Sequence, residues 1–239
     1  ASDYSVFDAS QSSKKITGKL VALGLSDEFN DRHYAVVDGM DGKLHYAEIG
    51  RLSKYDPPSN NMVVTLRGQD PSKQRQTQQA IARVFIESHI PFRDLVGADG
   101  ASWLDRKLLS KEPVVFRDKG FGAEANRALR LRQQWLIKEE LMTEQGGQLA
   151  ARHRLLETLQ RREVARVAGK LQQELGLTYQ PQARRERLKG QISRTVKLAS
   201  GRFAVVQKGK EFSLVPWRSK IIQKQGAGLG IGKTRTISR

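Results

Sequence analysis

One segment of the chain matches a pattern that binds nucleotide phosphates. Residues 227–234, AGLGIGKT, fit the relaxed phosphate-loop pattern, with Ala227 in place of the first glycine. A phosphate loop needs a buried strand before it and a helix after it, because the helix N-terminus faces the phosphates. Only five residues follow Thr234, which are too few for that helix. We therefore interpret residues 218–239 as a basic Gly-rich tail.

The other residue types that serve catalysis or metal binding form no constellation. The four histidines are separated by 12, 44 and 64 residues, so no pair has the spacing of metal ligands. The chain contains no cysteine, which excludes disulfides, thiolate metal sites and cysteine nucleophiles. The five tyrosines are scattered, and none lies beside a histidine cluster that would activate it. We expect no catalytic residue, no metal ligand and no cofactor in this chain.

Positive charge increases along the chain. Its 239 residues hold 42 Lys and Arg against 25 Asp and Glu, which gives a net charge of +17. Residues 1–70 carry 8 bases and 10 acids, whereas residues 191–239 carry eleven bases and the single acid Glu211. Such an asymmetry is typical of a face that binds a polyanion, because each base brought to a phosphate releases counterions. We predict DNA, single- or double-stranded, as the partner; a solubilising surface without a specific partner is the alternative.

The predicted phosphate contacts lie on two helices, in the segment after them and in the tail. They are Arg127, Arg130, Arg132, Arg152, Arg154, Arg161, Arg162, Arg184, Arg185, Arg187, Lys189, Lys233, Arg235 and Arg239. Trp217 follows Pro216 at a predicted strand end inside the basic region. Two interpretations remain for the Trp217 side chain: it stacks on a base, or it packs at the edge of a sheet.

The first half of the chain begins with a β module. Residues 1–14 lack a sustained hydrophobic period and are predicted to be a linker. Partial alternation of apolar residues predicts a strand at 15–24, and apolar runs next to turn residues predict strands at 33–37, 44–49 and 62–66. Two Asp-Gly pairs within residues 38–42 favour a tight hairpin between the second and third of them. Residues 15–70 should therefore form a small antiparallel, barrel-like module.

The middle of the chain is predicted to be helical. Residues 71–121 read as a mixed segment with helices over 72–89 and 101–109 and a short strand at 114–116, for which a winged-helix-like arrangement is one interpretation. Residues 122–177 read as a long helical hairpin, whose helices over 122–145 and 148–175 are broken at Gly146-Gly147.

A second β module is predicted at residues 190–217. Strands at 192–198, 203–206 and 212–215 follow from alternation, and Lys208-Gly209-Lys210 supplies the last turn. The fold class is therefore α+β, with small antiparallel β modules at both ends flanking a central helical region. No apolar run is long enough to cross a membrane and no secretion signal is present, so we expect a cytoplasmic location without membrane insertion. The initial Ala leads us to expect a fragment of a longer protein.

Two blocks of sequence resemble a known family. The first comprises Gly24–Glu28, Tyr34–Gly39, Asp41-Gly42 and His45-Tyr46, and the second comprises Leu198–Ala204 and Phe212–Trp217. Together they resemble the C-terminal region of mobilisation-type conjugative relaxases, downstream of the nuclease domain. The resemblance extends from about Thr17 to Trp217, and the two blocks occur in the family's order.

This resemblance implies a non-catalytic role for the chain. The parent enzyme would nick one DNA strand at a transfer origin through a tyrosine and a histidine-bound metal, and would enter the recipient cell with that strand. The chain lacks those motifs, so it would be an accessory region that contacts the DNA backbone and docks relaxosome accessory proteins or the type IV coupling protein. The alternative is a protein-interaction module, a translocation signal for the coupling protein, in which DNA contact is incidental. A self-contained nuclease is a weaker alternative, because the histidine count is against it.

Overall fold

A computed structural model describes residues 3–52, 57–69, 81–111, 115–145, 148–181 and 190–217. Strands, helices and one short 3-10 helix alternate along these stretches. In chain order they are β1 (Asp3–Val6), β2 (Lys15–Asp27), β3 (Arg32–Gly39), β4 (Lys43–Ile49), β5 (Val63–Arg67), β6 (Arg83–Ile86), the 3-10 helix (Phe92–Asp94), α1 (Trp103–Leu108), α2 (Gly120–Lys138), β7 (Met142–Gln145), β8 (Gln148–Ala151), α3 (Leu155–Leu175), β9 (Thr178–Tyr179), β10 (Gln191–Leu198), β11 (Gly201–Lys208) and β12 (Glu211–Pro216).

These elements form two compact units. The first comprises Ala1–Gly97 and Ser102–Arg152, and the second comprises Ala98–Ala101 and His153–Arg239. Sheets occupy the N-terminal and C-terminal regions, and α1, α2 and α3 lie between them in the sequence. The predicted α+β class is therefore confirmed.

The first unit contains a six-stranded sheet in the order β1-β4-β3-β2-β5-β6. The prediction of a linker over 1–14 is wrong at residues 3–6, which form β1 and pair with β4. A bridge between Ile49 at the end of β4 and Ala82 before β6 brings the two sides of this sheet together, so β2 to β6 enclose a barrel. Alternate side chains point inward, as expected for strands with one buried face. The barrel core includes Leu20, Val37 and Leu66, all fully buried.

The predicted helix over residues 72–89 is wrong where the structure describes it. Residues 83–86 form strand β6, which pairs antiparallel to β5. Val84 packs against the barrel core and Phe85 faces outward, which is the period of a strand. The backbone hydrogen bonds that close the barrel outweigh a local helical pattern of apolar residues. Residues 70–80 lie outside the described stretches.

Helices α1 and α2 share a second core of the first unit. Phe92, Trp103 and Phe121 form an aromatic cluster with ring centroids 4.8–6.3 Å apart. Helix α1 confirms the helix predicted over 101–109 to within two residues at its start. The strand predicted at 114–116 is not formed at Val115 and Phe116, and Val114 is outside the described residues. With β6 in place of the first predicted helix, these elements do not make the winged-helix-like arrangement.

The predicted helical hairpin is interrupted by strands. Helix α2 ends at Lys138, and β7 and β8 then pair antiparallel before α3 begins at Leu155. Residues 142–145 and 148–151 are therefore extended rather than helical. Two left-handed residues, Glu140 (φ 56°) and Arg154 (φ 59°), turn the chain out of α2 and into α3. The two helices also belong to different compact units.

The second unit packs α3 against the four-stranded sheet β10-β11-β12-β9. Val167 and Leu171 of α3 share a core with strand residues that include Phe203, Val205 and Phe212. The predicted turn between β11 and β12 is confirmed: Lys208 pairs with Glu211, and Gly209 adopts a φ of 61° that favours glycine. Helix α3 packs one side against this sheet, and other residues of the helix are exposed to solvent.

Candidate nucleic-acid interface

Helix α3 has one buried row and a basic exposed side. Leu159, Glu163, Val167 and Leu171 recur every four residues and are all buried. Four bases lie on the other rows, and all of them are exposed: Arg161, Arg162, Arg166 and Lys170. We call these four residues the α3 basic face. The amphipathic pattern therefore fixes which side of α3 meets solvent, and that side carries the charge.

Glu163 holds α3 onto the β10–β11 turn. Its carboxylate accepts hydrogen bonds from the backbone N–H of Ala199 at 2.8 Å and of Ser200 at 3.0 Å. Gly100 passes so close that a Cβ there would lie 2.3 Å from the carboxylate. Burial raises the pKa of Glu163, although the N–H donors and Arg166 favour its charged form. These contacts set the position of the α3 basic face on its sheet.

Partly exposed carboxylates accompany two of the bases in the second unit. Arg166 lies 3.9 Å from Asp99, and Arg154 lies 3.1 Å from Glu157. Exposed ion pairs contribute about 0–1 kcal/mol, because water screens them and ordering the side chains opposes them. Phosphates can therefore displace these partners at small cost.

Helix α2 carries a shorter basic row on its exposed side. Arg127, Arg130 and Lys138 are exposed, and Leu131 between them is 47% exposed. Arg130 also forms a 3.3 Å hydrogen bond with Asn126 on the preceding turn. Arg152, after β8, is exposed and lies 3.8 Å from Glu140.

The prediction that Arg132 contacts phosphate is wrong. Its guanidinium is fully buried and donates to both oxygens of Asp105, at 2.7 and 2.9 Å, and to the Val96 carbonyl at 3.0 Å. It also lies 4.2 Å from the centroid of the Trp135 ring. Since Arg132 ties α2 to the start of α1, it supports the fold of the first unit.

Trp217 packs at the edge of the second sheet. Its ring is half-buried against Ala204, Val206 and Val215, and the Arg202 guanidinium lies 4.4 Å from its centroid. One face of the indole is thus occupied by a cation. Of the two readings left open by the sequence, the structure favours edge packing over base stacking.

The remaining predicted contacts are outside the described stretches. They are Arg184, Arg185, Arg187, Lys189, Lys233, Arg235 and Arg239, together with the segment 227–234 that matches the phosphate-loop pattern.

Sequence reasoning missed Asp105 and Glu163, the two buried carboxylates that position the helices. The sequence does contain a signal for the burial of Glu163 and of Arg132. Glu163 lies in the row of Leu159 and Val167, and Arg132 lies in the row of Ala128 and Leu136. A charged residue in an apolar row at four-residue spacing predicts a buried, paired group.

A cleft of about 540 Å³ lies between the β3–β4 turn and the segment before α2. Charged residues of both signs line it in equal number: Asp3, Asp41 and Asp118 with Lys43, Arg117 and Lys119. The opposing charges give it no clear preference for an anion. Near it, His45 Nε2 forms hydrogen bonds with the Asp41 carboxylate at 2.9 and 3.0 Å.

Among the residues that the structure describes, no group of three or more His, Asp and Glu side chains is placed to hold a metal ion. No helix in the same part of the chain has the length and apolar character needed to cross a membrane.

Comparison with known proteins identifies the family of the chain. Residues 1–86 and 73–238 match the profile of DUF3363, which is described as a protein of unknown function. No curated protein and no solved structure gives a significant match. Because the two matched segments together extend over nearly the whole sequence, the chain belongs to the DUF3363 family.

Proposed function

We propose that this chain is a non-catalytic accessory region of a conjugative DNA relaxase, and that it holds DNA by its phosphate backbone. The observation that carries the DNA-binding part is the α3 basic face, where all four bases of one helix are exposed while its apolar row is buried against the sheet. Basic residues in this arrangement neutralise phosphates without reading bases.

The relaxase part is supported by the resemblance of the two sequence blocks. The first block lies in β2, β3 and β4 of the barrel, and the second lies in β10, β11 and β12. In this proposal the nuclease domain of the parent enzyme nicks the strand, and the accessory region retains the DNA in the bacterial cytoplasm during transfer.

A salt titration tests DNA binding. We expect the full chain to bind both single- and double-stranded oligonucleotides, with log affinity falling linearly against log salt by about 0.9 per phosphate contact on duplex DNA and about 0.7 on a single strand. Fluorescence anisotropy with labelled oligonucleotides of matched length measures this slope. Affinity that does not change between low and physiological salt would contradict the proposal.

A charge-reversal pair tests the position of the interface. Arg161→Glu/Arg162→Glu should reduce duplex affinity at least about 10-fold and lower the salt slope by about 2, because two contacts are lost. Arg51→Glu/Arg93→Glu is the matched control, since it makes the same charge change at side chains 76% and 82% exposed in the first unit. The control should change affinity less than about 3-fold. An equal loss in both variants would show that net charge, and not the α3 basic face, determines binding.

A further inference from the structure

The barrel displays aromatic and apolar side chains on its outer surface. Successive residues of β3 and β4 alternate between the barrel core and the outside, and Ala35, Val37 and Ala47 point inward. The residues between them point outward, and β1 adds two more beside β4, where Tyr4 pairs with Leu44 and Val6 with Tyr46. We call this surface the tyrosine face; it consists of Tyr4, Val6, Tyr34, Val36, Leu44 and Tyr46.

The tyrosine face is ordered by packing and is accessible on the β1 side. The rings of Tyr34 and Tyr46 stack, with centroids 5.6 Å apart and planes at 21°. Gly24 lies under Tyr34, and a Cβ at that position would approach the ring to 2.6 Å. In contrast, Tyr4 is 64% exposed and Val6 is 72% exposed. A rigid aromatic pair beside exposed apolar residues is typical of a binding surface.

Two carboxylates lie in register with residues of the tyrosine face, and Arg32, on the same side of β3, lies two residues before Tyr34. Glu48 pairs with Tyr34 in register and points to the same side, and Asp38 is opposite Leu44. The pKa of Tyr46 is raised first by desolvation and then by the Glu48 carboxylate and the neighbouring tyrosines. Lys19, opposite Asp38, forms an ion pair with Glu124 of α2. Phosphates would be repelled by these carboxylates, whereas a cation would be attracted.

The backbone of β1 offers a second means of recognition. β1 is the terminal strand of the sheet order, and within the described residues no strand pairs with its other edge. Extended polypeptides add to such edges through main-chain hydrogen bonds. A nucleic acid has no peptide backbone and cannot extend the sheet in this way.

We propose that the tyrosine face and the outer edge of β1, with which no strand of the described residues pairs, bind a cationic polypeptide segment in extended conformation. Its backbone pairs with β1, and its Lys or Arg side chains lie over the Tyr4 ring and beside Glu48. This site shares no residue with the α3 basic face, and its cation-binding group is a carboxylate where that face carries bases. The chain therefore binds a basic protein segment through the tyrosine face and DNA through the α3 basic face.

The test uses the full ¹⁵N-labelled chain and three probes. The first is a blocked heptapeptide, Thr-Lys-Val-Arg-Val-Lys-Thr; the second has Glu at its three basic positions; the third is a short oligothymidine. We expect the basic peptide alone to shift the amide resonances of Tyr4, Val6 and Tyr46. Absence of binding by the basic peptide, equal binding of the acidic peptide, or the same shifts with oligothymidine would each overturn the proposal.

Variants locate the binding site. Tyr4→Ser/Val6→Ser should weaken binding of the basic peptide about 10-fold, and Glu48→Gln about 3-fold. Val115→Ser is the matched control, because Val115 belongs to the same unit and is also 72% exposed. Undiminished binding by the double variant, or an equal loss in the control, would overturn the site. Arg161→Glu/Arg162→Glu should leave peptide binding unchanged, which separates this result from that of the DNA proposal.

Discussion

Asp105→Ala lowers the free energy of unfolding of the first unit by about 3–5 kcal/mol, because it leaves the Arg132 guanidinium buried without its charge partner. The side chains of both residues have no solvent exposure. The same carboxylate also accepts hydrogen bonds from Ser102 N at 2.6 Å and Ser102 Oγ at 2.8 Å at the start of α1. The substitution thus removes an ion pair and a helix cap together.

Arg132→Met should cost less than Asp105→Ala. Methionine keeps much of the apolar volume of the arginine stem, and Asp105 retains its two bonds from Ser102. Urea unfolding followed by tryptophan fluorescence measures both variants. A Trp217→Phe background restricts the signal to Trp103 and Trp135, which belong to the first unit.

Arg130→Met is the matched control, two residues earlier on the same helix. Its side chain is exposed, so the change in unfolding free energy should be within about 0.5 kcal/mol. If Arg132→Met were as mild as Arg130→Met, the buried pair would not be the link between α1 and α2.

The strands were largely predictable because their signals are local. Strands β3 and β4 are short runs rich in apolar residues on either side of an Asp-Gly turn, and Gly42 adopts the positive φ (76°) that this turn predicts. The turn at Gly209 was predictable in the same way. In these cases the residues that form the hydrogen bonds are close in sequence, so composition and period are sufficient.

The errors occur where partners are distant in sequence. β6 is a strand because its backbone pairs with β5, and because Ala82 just before it forms a bridge with Ile49 of β4. Residues 81–90 alone contain no signal for these pairings. The β7–β8 hairpin has only four residues on each side, a length at which helix and strand patterns are not distinguishable. The position of a residue in the helical rows predicts that Arg127 and Arg161 are exposed, and both are. The prediction for Arg132 was wrong because a basic residue was assumed to face solvent, although Arg132 lies in an apolar row.

Glu163→Ala lowers the free energy of unfolding of the second unit by about 2–4 kcal/mol. It leaves the N–H groups of Ala199 and Ser200 without their acceptor, and each lost partner costs about 1–3 kcal/mol in a buried position. Hydrogen exchange of the β11 amides measures the change. The matched control is Gln173→Ala on the same helix, whose side chain is exposed, so the change in unfolding free energy should be within about 0.5 kcal/mol.

The pH dependence of stability shows whether burial or hydrogen bonding dominates the energetics of the Glu163 carboxylate. Burial raises the pKa of Glu163 above its ordinary value of 4.5, so the folded state holds this proton more tightly than the unfolded chain. This contribution to stability is complete at pH values below the ordinary pKa and is lost as pH rises through the raised pKa of the folded state. Other carboxylates titrate in this range, and the pKa of Asp27 is lowered by its hydrogen bonds to Asn30 and Phe29. The comparison is therefore between wild type and Glu163→Gln, which does not ionise. We expect the stability of wild type relative to this variant to decrease as pH rises from 4 towards neutrality; an increase would show that the N–H donors outweigh burial.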